Sequence, residues 1–189
     1  RFECEYMLNP IDDSSSLIKS EWVRKCFSDM CSYTKHRPSH FHAIYMGVDF
    51  AFSDRITADN SAFVIIGEIR EKDELTKQTR KKYQLIDVIL KKGLSVLEQF
   101  DYIKSLHQTF KFSMIGLEDN SIKAVSKHIS GYNLPFKLFH TSAKDPKDEK
   151  GIYKRYETMG KRNLILRLGN MFEQGNMIIP YLNDEDRII

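Results

Sequence analysis

The run from residue 44 to 51, Ile-Tyr-Met-Gly-Val-Asp-Phe-Ala, constrains the chain more than any other segment. Strict alternation puts Ile44, Met46, Val48 and Phe50 on one face and Tyr45, Gly47, Asp49 and Ala51 on the other, which is the period of a β-strand. That strand carries a carboxylate. A charge inside an apolar strand is costly to bury unless it is compensated, and divalent metal binding is one of the common compensations. Asp49 is therefore the first candidate ligand, set against the plainer reading of a cap or an ion pair with a Lys or Arg.

The pattern on either side builds outward from this strand. Residues 62–69 and 83–91 read as two further strands separated by the charged stretch 70–82, so strands two and three predict a long hairpin with a solvated tip. Residues 95–110 place Leu97, Phe100, Tyr102, Ile103 and Leu106 near helical spacing, with Ser95 as the cap. A short strand at 112–117, a helix at 121–129, a strand at 136–140, a helix over 153–173 stopped by Gly175 and a last strand at 177–181 complete the order. The expectation is an α/β domain: a mixed sheet of three antiparallel strands followed by parallel ones, flanked by helices. Residues 1–40 read as a lead-in and 41–189 as the domain, with the 20–33 run helix-like.

Glu118 is the second candidate, because it ends a short strand that a right-handed crossover through 95–110 brings beside the first. Asp119 is the runner-up there; alternation points it to the opposite face, where it caps the next helix instead. Two carboxylates on adjacent strands suit Mg²⁺ or Mn²⁺, which prefer oxygen ligands. Cys26, Cys31, His36, His40 and His42 offer a zinc set on paper, but both thiols fall in the helix-like run rather than at a sharp turn, which favours small buried thiols and surface histidines.

With 29 basic and 26 acidic side chains the net charge is only +3, so distribution matters more than total. Arg80, Lys81 and Lys82 form one basic segment, and Lys144, Lys147, Lys150, Lys154, Arg155, Lys161 and Arg162 another; both are candidate phosphate contacts. At 189 residues the chain fits one domain, has no stretch of the roughly 20 apolar residues needed to cross a bilayer, and has no phosphate-binding Gly-x-x-x-x-Gly-Lys-Ser/Thr loop. Three Cys without a secretory signal point to reduced thiols in a cytosol-like compartment.

Taken together, these strings resemble a known family. Gly47-Val48-Asp49-Phe50-Ala51 followed by Ala58-Asp59-Asn60-Ser61-Ala62 is similar to the first hairpin of the RNase H-like nuclease domain of tailed-phage terminase large subunits, where an Asp-bearing strand precedes Asp-Tyr-Ser-Ala. Ile115-Gly116-Leu117-Glu118-Asp119-Asn120 resembles the family's second acidic motif, and Phe172-Glu173-Gln174-Gly175 with the strand to Pro180 resembles its late helix and following strand. Glu5-Tyr6-Met7-Leu8-Asn9-Pro10 looks like the segment that joins the packaging ATPase to the nuclease. Phe50, Asn60 and Leu164 depart from the Pro, Tyr and Arg common in the family.

The resemblance implies a metal-dependent endonuclease that cuts concatemeric double-stranded DNA during genome packaging, with Asp49 and Glu118 as ligands of a two-metal site and Asp59 and Asp119 as possible supporting residues. It implies as partners the ATPase domain of the same chain, the terminase small subunit and the prohead portal, in the host cytoplasm, with no nucleotide bound by this domain and no membrane. The family's third acidic ligand comes from a His-Asp-Asp-like motif, expected beyond Ile189; Asp184, Glu185 and Asp186 read as a polar turn. Two other readings stand beside it: another RNase H-like nuclease acting on junctions or RNA–DNA hybrids, and a non-catalytic DNA-docking module.

Overall fold

The computed structural model describes residues 16–51, 60–72, 74, 77–118, 131–142 and 157–181. Three strands, β2 (Ala43–Asp49), β3 (Ser61–Lys72) and β4 (Thr79–Lys91), form the antiparallel meander the alternation predicts. The crossover helix α2 (Val96–Phe110) then returns the chain so that β5 (Met114–Glu118) lies parallel to β2. Strands β6 (Phe136–Ser142) and β7 (Glu157–Gly160) continue outward in parallel, and helix α3 (Lys161–Glu173) leads to β8 (Met177–Pro180) beside β4. Among the described residues the sheet has eight strands, including the short edge strand β1 (Phe27–Ser28), in the order β1-β8-β4-β3-β2-β5-β6-β7. This is the mixed α/β sheet expected, with an order the sequence did not disclose.

Helix α2 forms where Ser95 and Glu98 make a reciprocal capping box, the Ser95 hydroxyl accepting from the Glu98 amide at 3.3 Å and the Glu98 carboxylate accepting from the Ser95 amide at 2.8 Å. These bonds to the charged form hold the Glu98 carboxyl below the usual carboxylate range. The helix buries Phe100, Ile103 and Phe110 against Ile44, Met46, Val48, Phe63, Ile65, Ile86, Ile115 and Leu117, which all project from one face of the central strands. Leu97 was expected on that buried stripe but is 52% exposed, and Phe110 occupies the sheet-facing position at the other end of the helix.

Three segments depart from the sequence reading. Residues 20–33 were expected to be helical; only α1 (Ser20–Arg24) is, and β1 (Phe27–Ser28) then pairs in parallel with β8. Within the expected lead-in, residues 16–40 thus add an edge to the sheet. Trp22 packs close to Gly169 of α3, Thr34 donates to the Ile86 carbonyl at 3.2 Å, and Arg37 donates to the carbonyls of Phe110 and Lys111. Residues 157–160 form β7 rather than the start of the late helix, because the open edge of β6 supplies backbone partners that local helix preference does not outweigh. The charged stretch 70–82 is mostly strand, not tip: β3 and β4 stay paired out to Lys72 and Thr79, with Lys82 3.0 Å from Glu71 across the arm. The expected helix at 121–129 lies outside the described residues.

Candidate metal centre

The parallel pairing of β2 with β5 runs Tyr45↔Met114, Met46↔Ile115, Gly47↔Gly116 and Val48↔Leu117. Asp49 and Glu118 are the next residues on each strand, level with one another at the carboxyl ends of neighbouring strands about 4.8 Å apart. Aligned residues of a parallel pair project to the same side. Val48 and Leu117 point into the α2 core, so Asp49 and Glu118 share the opposite face, Asp49 exposed and Glu118 half-buried. The sequence argument supposed a buried Asp49; the structure corrects this, since the strand ends at the carboxylate and presents it to solvent.

Among the described residues, the backbone beside Asp49 is left uncovered, while that beside Glu118 is roofed by an aromatic ring. Gly47 and Gly116 pair directly behind them, and a Cβ on Gly47 would meet nothing within 4 Å. A Cβ on Gly116 would come within 3.0 Å of the Phe139 ring, so glycine lets that ring lie close across β5 and a larger residue would push it outward. Phe139 pairs with Glu118, and the Lys137 ammonium stands 5.4 Å from its ring centre. Two hard oxygen donors, aligned on one open face with room above the backbone beside Asp49, fit a small divalent cation of the magnesium or manganese type. Among the described residues no group of three or more His, Cys, Asp or Glu gathers to hold a metal.

The same face carries a second charged group, at the far end of β2. Glu68 is only 1% exposed, accepts from the Tyr45 hydroxyl at 2.8 Å and from Arg70 at 2.6 Å, and lies 3.6 Å from the Lys81 ammonium. Burial pushes the Glu68 carboxyl up, but the bonds from Arg70 and Tyr45 and the charges of Lys81 and Arg70 outweigh it and hold the net value below the usual range. Burial and the Glu68 carboxylate together push the Tyr45 phenol up to about 12.

Of the proposed phosphate contacts, Lys81 stands on the same face as Asp49, because it pairs with Arg70. Arg80 and Lys82 fall on the other side of the ribbon, where Lys82 is held by Glu71. A three-residue basic run in a strand cannot present all its charges to one ligand surface. Lys161 and Arg162 open α3. Asp59, Asp119, Lys144, Lys147, Lys150, Lys154, Arg155, Asp184, Glu185 and Asp186 lie outside the described residues.

Cys26 is buried, its thiol donating toward the Trp22 and Phe172 carbonyls at 3.3 and 3.6 Å, and burial pushes it up. His36, His40 and His42 are exposed. Sequence reasoning passed over Tyr45, Ser61, Glu68 and Gln99. Gln99 carried a signal, since it lies four residues before Ile103 on the apolar side of a helix, and a polar residue there must find partners inside.

The family model of the terminase RNase H-like domain matches residues 46–185, which contain both acidic strand ends and the elements between them. The chain belongs to the terminase RNase H-like domain family. No curated protein matches the sequence. Among solved structures the chain is similar to the large terminase nuclease from thermophilic phage G20c with bound magnesium, at 16% identity and a TM-score of 0.49, over 77% of this chain and 60% of that one. The same nuclease with bound zinc aligns at 16% identity and 0.49 over 82% and 73% of the two chains, and with bound cobalt at 15% and 0.49 over 77% and 60%. The first of these matches thus spans under two thirds of the nuclease chain it aligns with. Among the described residues, no helix of this family member is long and apolar enough to cross a membrane.

Proposed function

We propose that this domain is a metal-dependent endonuclease that hydrolyses phosphodiester bonds of double-stranded DNA, cutting concatemers as viral genomes are packaged. The observation that carries the reading is the pairing of β2 with β5, which sets Asp49 and Glu118 level on one open face of the sheet. Mg²⁺ or Mn²⁺, bound singly or as a pair, would supply charge at the scissile phosphate and a water acidified for attack. Asp49 and Glu118 would hold the ions, with Asp59 and Asp119 in support, and Gly47 leaves space beside Asp49 for a phosphate. Lys81, on the same face toward the far end of β2, is one phosphate contact we propose, with Arg80, Lys82, Lys144, Lys147, Lys150, Lys154, Arg155, Lys161 and Arg162 as the others. The ATPase domain of the same polypeptide, the small subunit and the portal are the partners this role requires, in the host cytoplasm.

Cleavage of plain duplex plasmid with Mn²⁺ present tests the reading. Wild-type protein that also carries the third acidic ligand expected beyond Ile189 should nick and linearise it, residues 1–189 alone should cut poorly, and Asp49→Asn and Glu118→Gln should lose the activity. Equal nicking by wild type and both variants sinks the assignment of these residues. Activity confined to four-way junctions or RNA–DNA hybrids would replace the substrate, and binding without cleavage by every form would leave a docking module.

A further inference from the structure

Two polar side chains are sealed inside the molecule directly behind Asp49. Gln99 is 0% and Ser61 is 1% exposed. The Ser61 hydroxyl accepts from the Ala51 amide at 3.0 Å and donates to the Gln99 side-chain oxygen at 2.8 Å. The Gln99 side-chain nitrogen donates to the Ala51 carbonyl at 2.8 Å and to the Leu94 carbonyl at 3.0 Å. These four bonds fix the orientation of the amide. Turned over, its oxygen would face two carbonyls and its nitrogen would lose its acceptors. Both backbone groups of Ala51 are thereby held, one by the first residue of β3 and the other by the first turn of α2. The preceding residue is held too, since the Phe50 ring is buried 5.4 Å from that of Phe100, the neighbour of Gln99.

Asp49 stands between these clamps. On one side is the ladder of β2, in which Asp49 pairs with Ala62, the residue after Ser61; on the other is a chain pinned at Phe50 and Ala51. An exposed carboxylate at a strand end has little of its own to fix its backbone. We propose that Gln99 and Ser61 are positioning residues for Asp49, setting the end of β2 so that its carboxylate stays level with Glu118 for a shared divalent cation. The inference rests on the metal reading of Asp49. A buried network that is fully satisfied rigidifies what it touches, and supports one step removed from metal ligands typically change affinity by about 10–100-fold.

The test is Mn²⁺ binding by the full chain, read from the free-ion electron paramagnetic resonance signal, for wild type, Asp49→Asn, Gln99→Glu and Ser61→Ala, with a thermal melt of each. Gln99→Glu keeps the shape but sets a carboxyl against the Ala51 and Leu94 carbonyls, where only its protonated form can donate. Its Mn²⁺ midpoint should weaken more relative to wild type at about pH 8.5 than at about pH 6, about tenfold or more at the higher value, and the melt run at each pH separates this from a loss of folded protein. Ser61→Ala should weaken binding about tenfold at both. A folded Gln99→Glu or Ser61→Ala protein that binds Mn²⁺ as wild type does at both pH values overturns the positioning role. If Gln99→Glu fails to fold, Ser61→Ala decides alone; failure of both to fold makes the network a folding element and also overturns it. Binding that ignores Asp49→Asn instead removes the metal reading, and this inference with it.

Discussion

The two faces of the central sheet differ in what they spend their side chains on. On the face under α2, Ile44, Met46, Val48, Phe63, Ile65, Ile115 and Leu117 are buried and close-packed with Phe100, Ile103 and Phe110. On the other, the same strands carry Tyr45, Gly47, Asp49, Gly116, Glu118 and Glu68, and Val88 and Leu90 remain partly exposed. One face holds the fold together by removing apolar surface from water; the other keeps polar groups available and is held locally by hydrogen bonds. Substitutions on the first should therefore cost stability, and substitutions at the strand ends of the second should cost activity without it.

Phe100→Ala should give the largest effect. The ring is 0% exposed and lies within 5.7 Å of the rings of Phe50, Tyr132 and Phe136, so its loss should cost about 3–5 kcal/mol and lower the melting temperature by on the order of 10 °C. A calorimetric melt within a degree of wild type would break the comparison from the stability side. Asp49→Asn should be its mirror: cleavage should fall at least about 100-fold, equivalent to about 2.7 kcal/mol, while the melting temperature holds or rises because Glu118 loses a like-charged neighbour. A destabilised Asp49→Asn protein would show that the open face also carries the fold at this point.

Tyr45→Phe sharpens the contrast within the open face, since it removes one bond to the buried Glu68 carboxylate and should cost about 1–2 kcal/mol near neutral pH. The pH dependence has a definite sign. The folded Glu68 is held below its ordinary value, so its contribution is present above about 4.5 and is lost as pH falls through the lower folded value. Tyr45 is raised to about 12, so its contribution is present below about 10 and is lost as pH rises through that folded value. Urea titrations should find the gap between wild type and Tyr45→Phe narrowing at both extremes, and a gap constant from acid to alkali would remove the network from the account. The smallest effect should come from Lys111→Gly at the C-cap of α2, where φ is +53°; relieving a left-handed lysine should stabilise by about 1 kcal/mol, detectable as a small rise in urea midpoint.

Much of the site was legible because β-strand alternation is a local rule. Asp49 stood out as a carboxylate in the strictly alternating strand 44–51, and Glu118 as an acid closing a short one. What misled the reading was also local. A period-two pattern says which residues share a face but not whether that face is covered, so Asp49 was taken for buried. The charge of 70–82 suggested a tip, although cross-strand pairs such as Glu71 with Lys82 let a charged ribbon stay paired. Ser61 and Glu68 were missed because the partners that satisfy them, Ala51, Gln99 and Tyr45, lie 10 to 38 residues away, whereas Gln99 carried a local signal on the apolar side of its helix that went unread.

By itself the sequence determined the kind of domain: three alternating strands, a capped amphipathic helix, then parallel strands, with two acids at strand ends and a family resemblance covering most of the chain. Those properties follow from side-chain period and capping chemistry, which act over a few residues. Only the tertiary structure decided the strand order, the register that brings Asp49 level with Glu118, and the sealed network behind Ala51. Each of these depends on which distant segments meet, as in the packing of α2 on the central strands, rather than on any local preference.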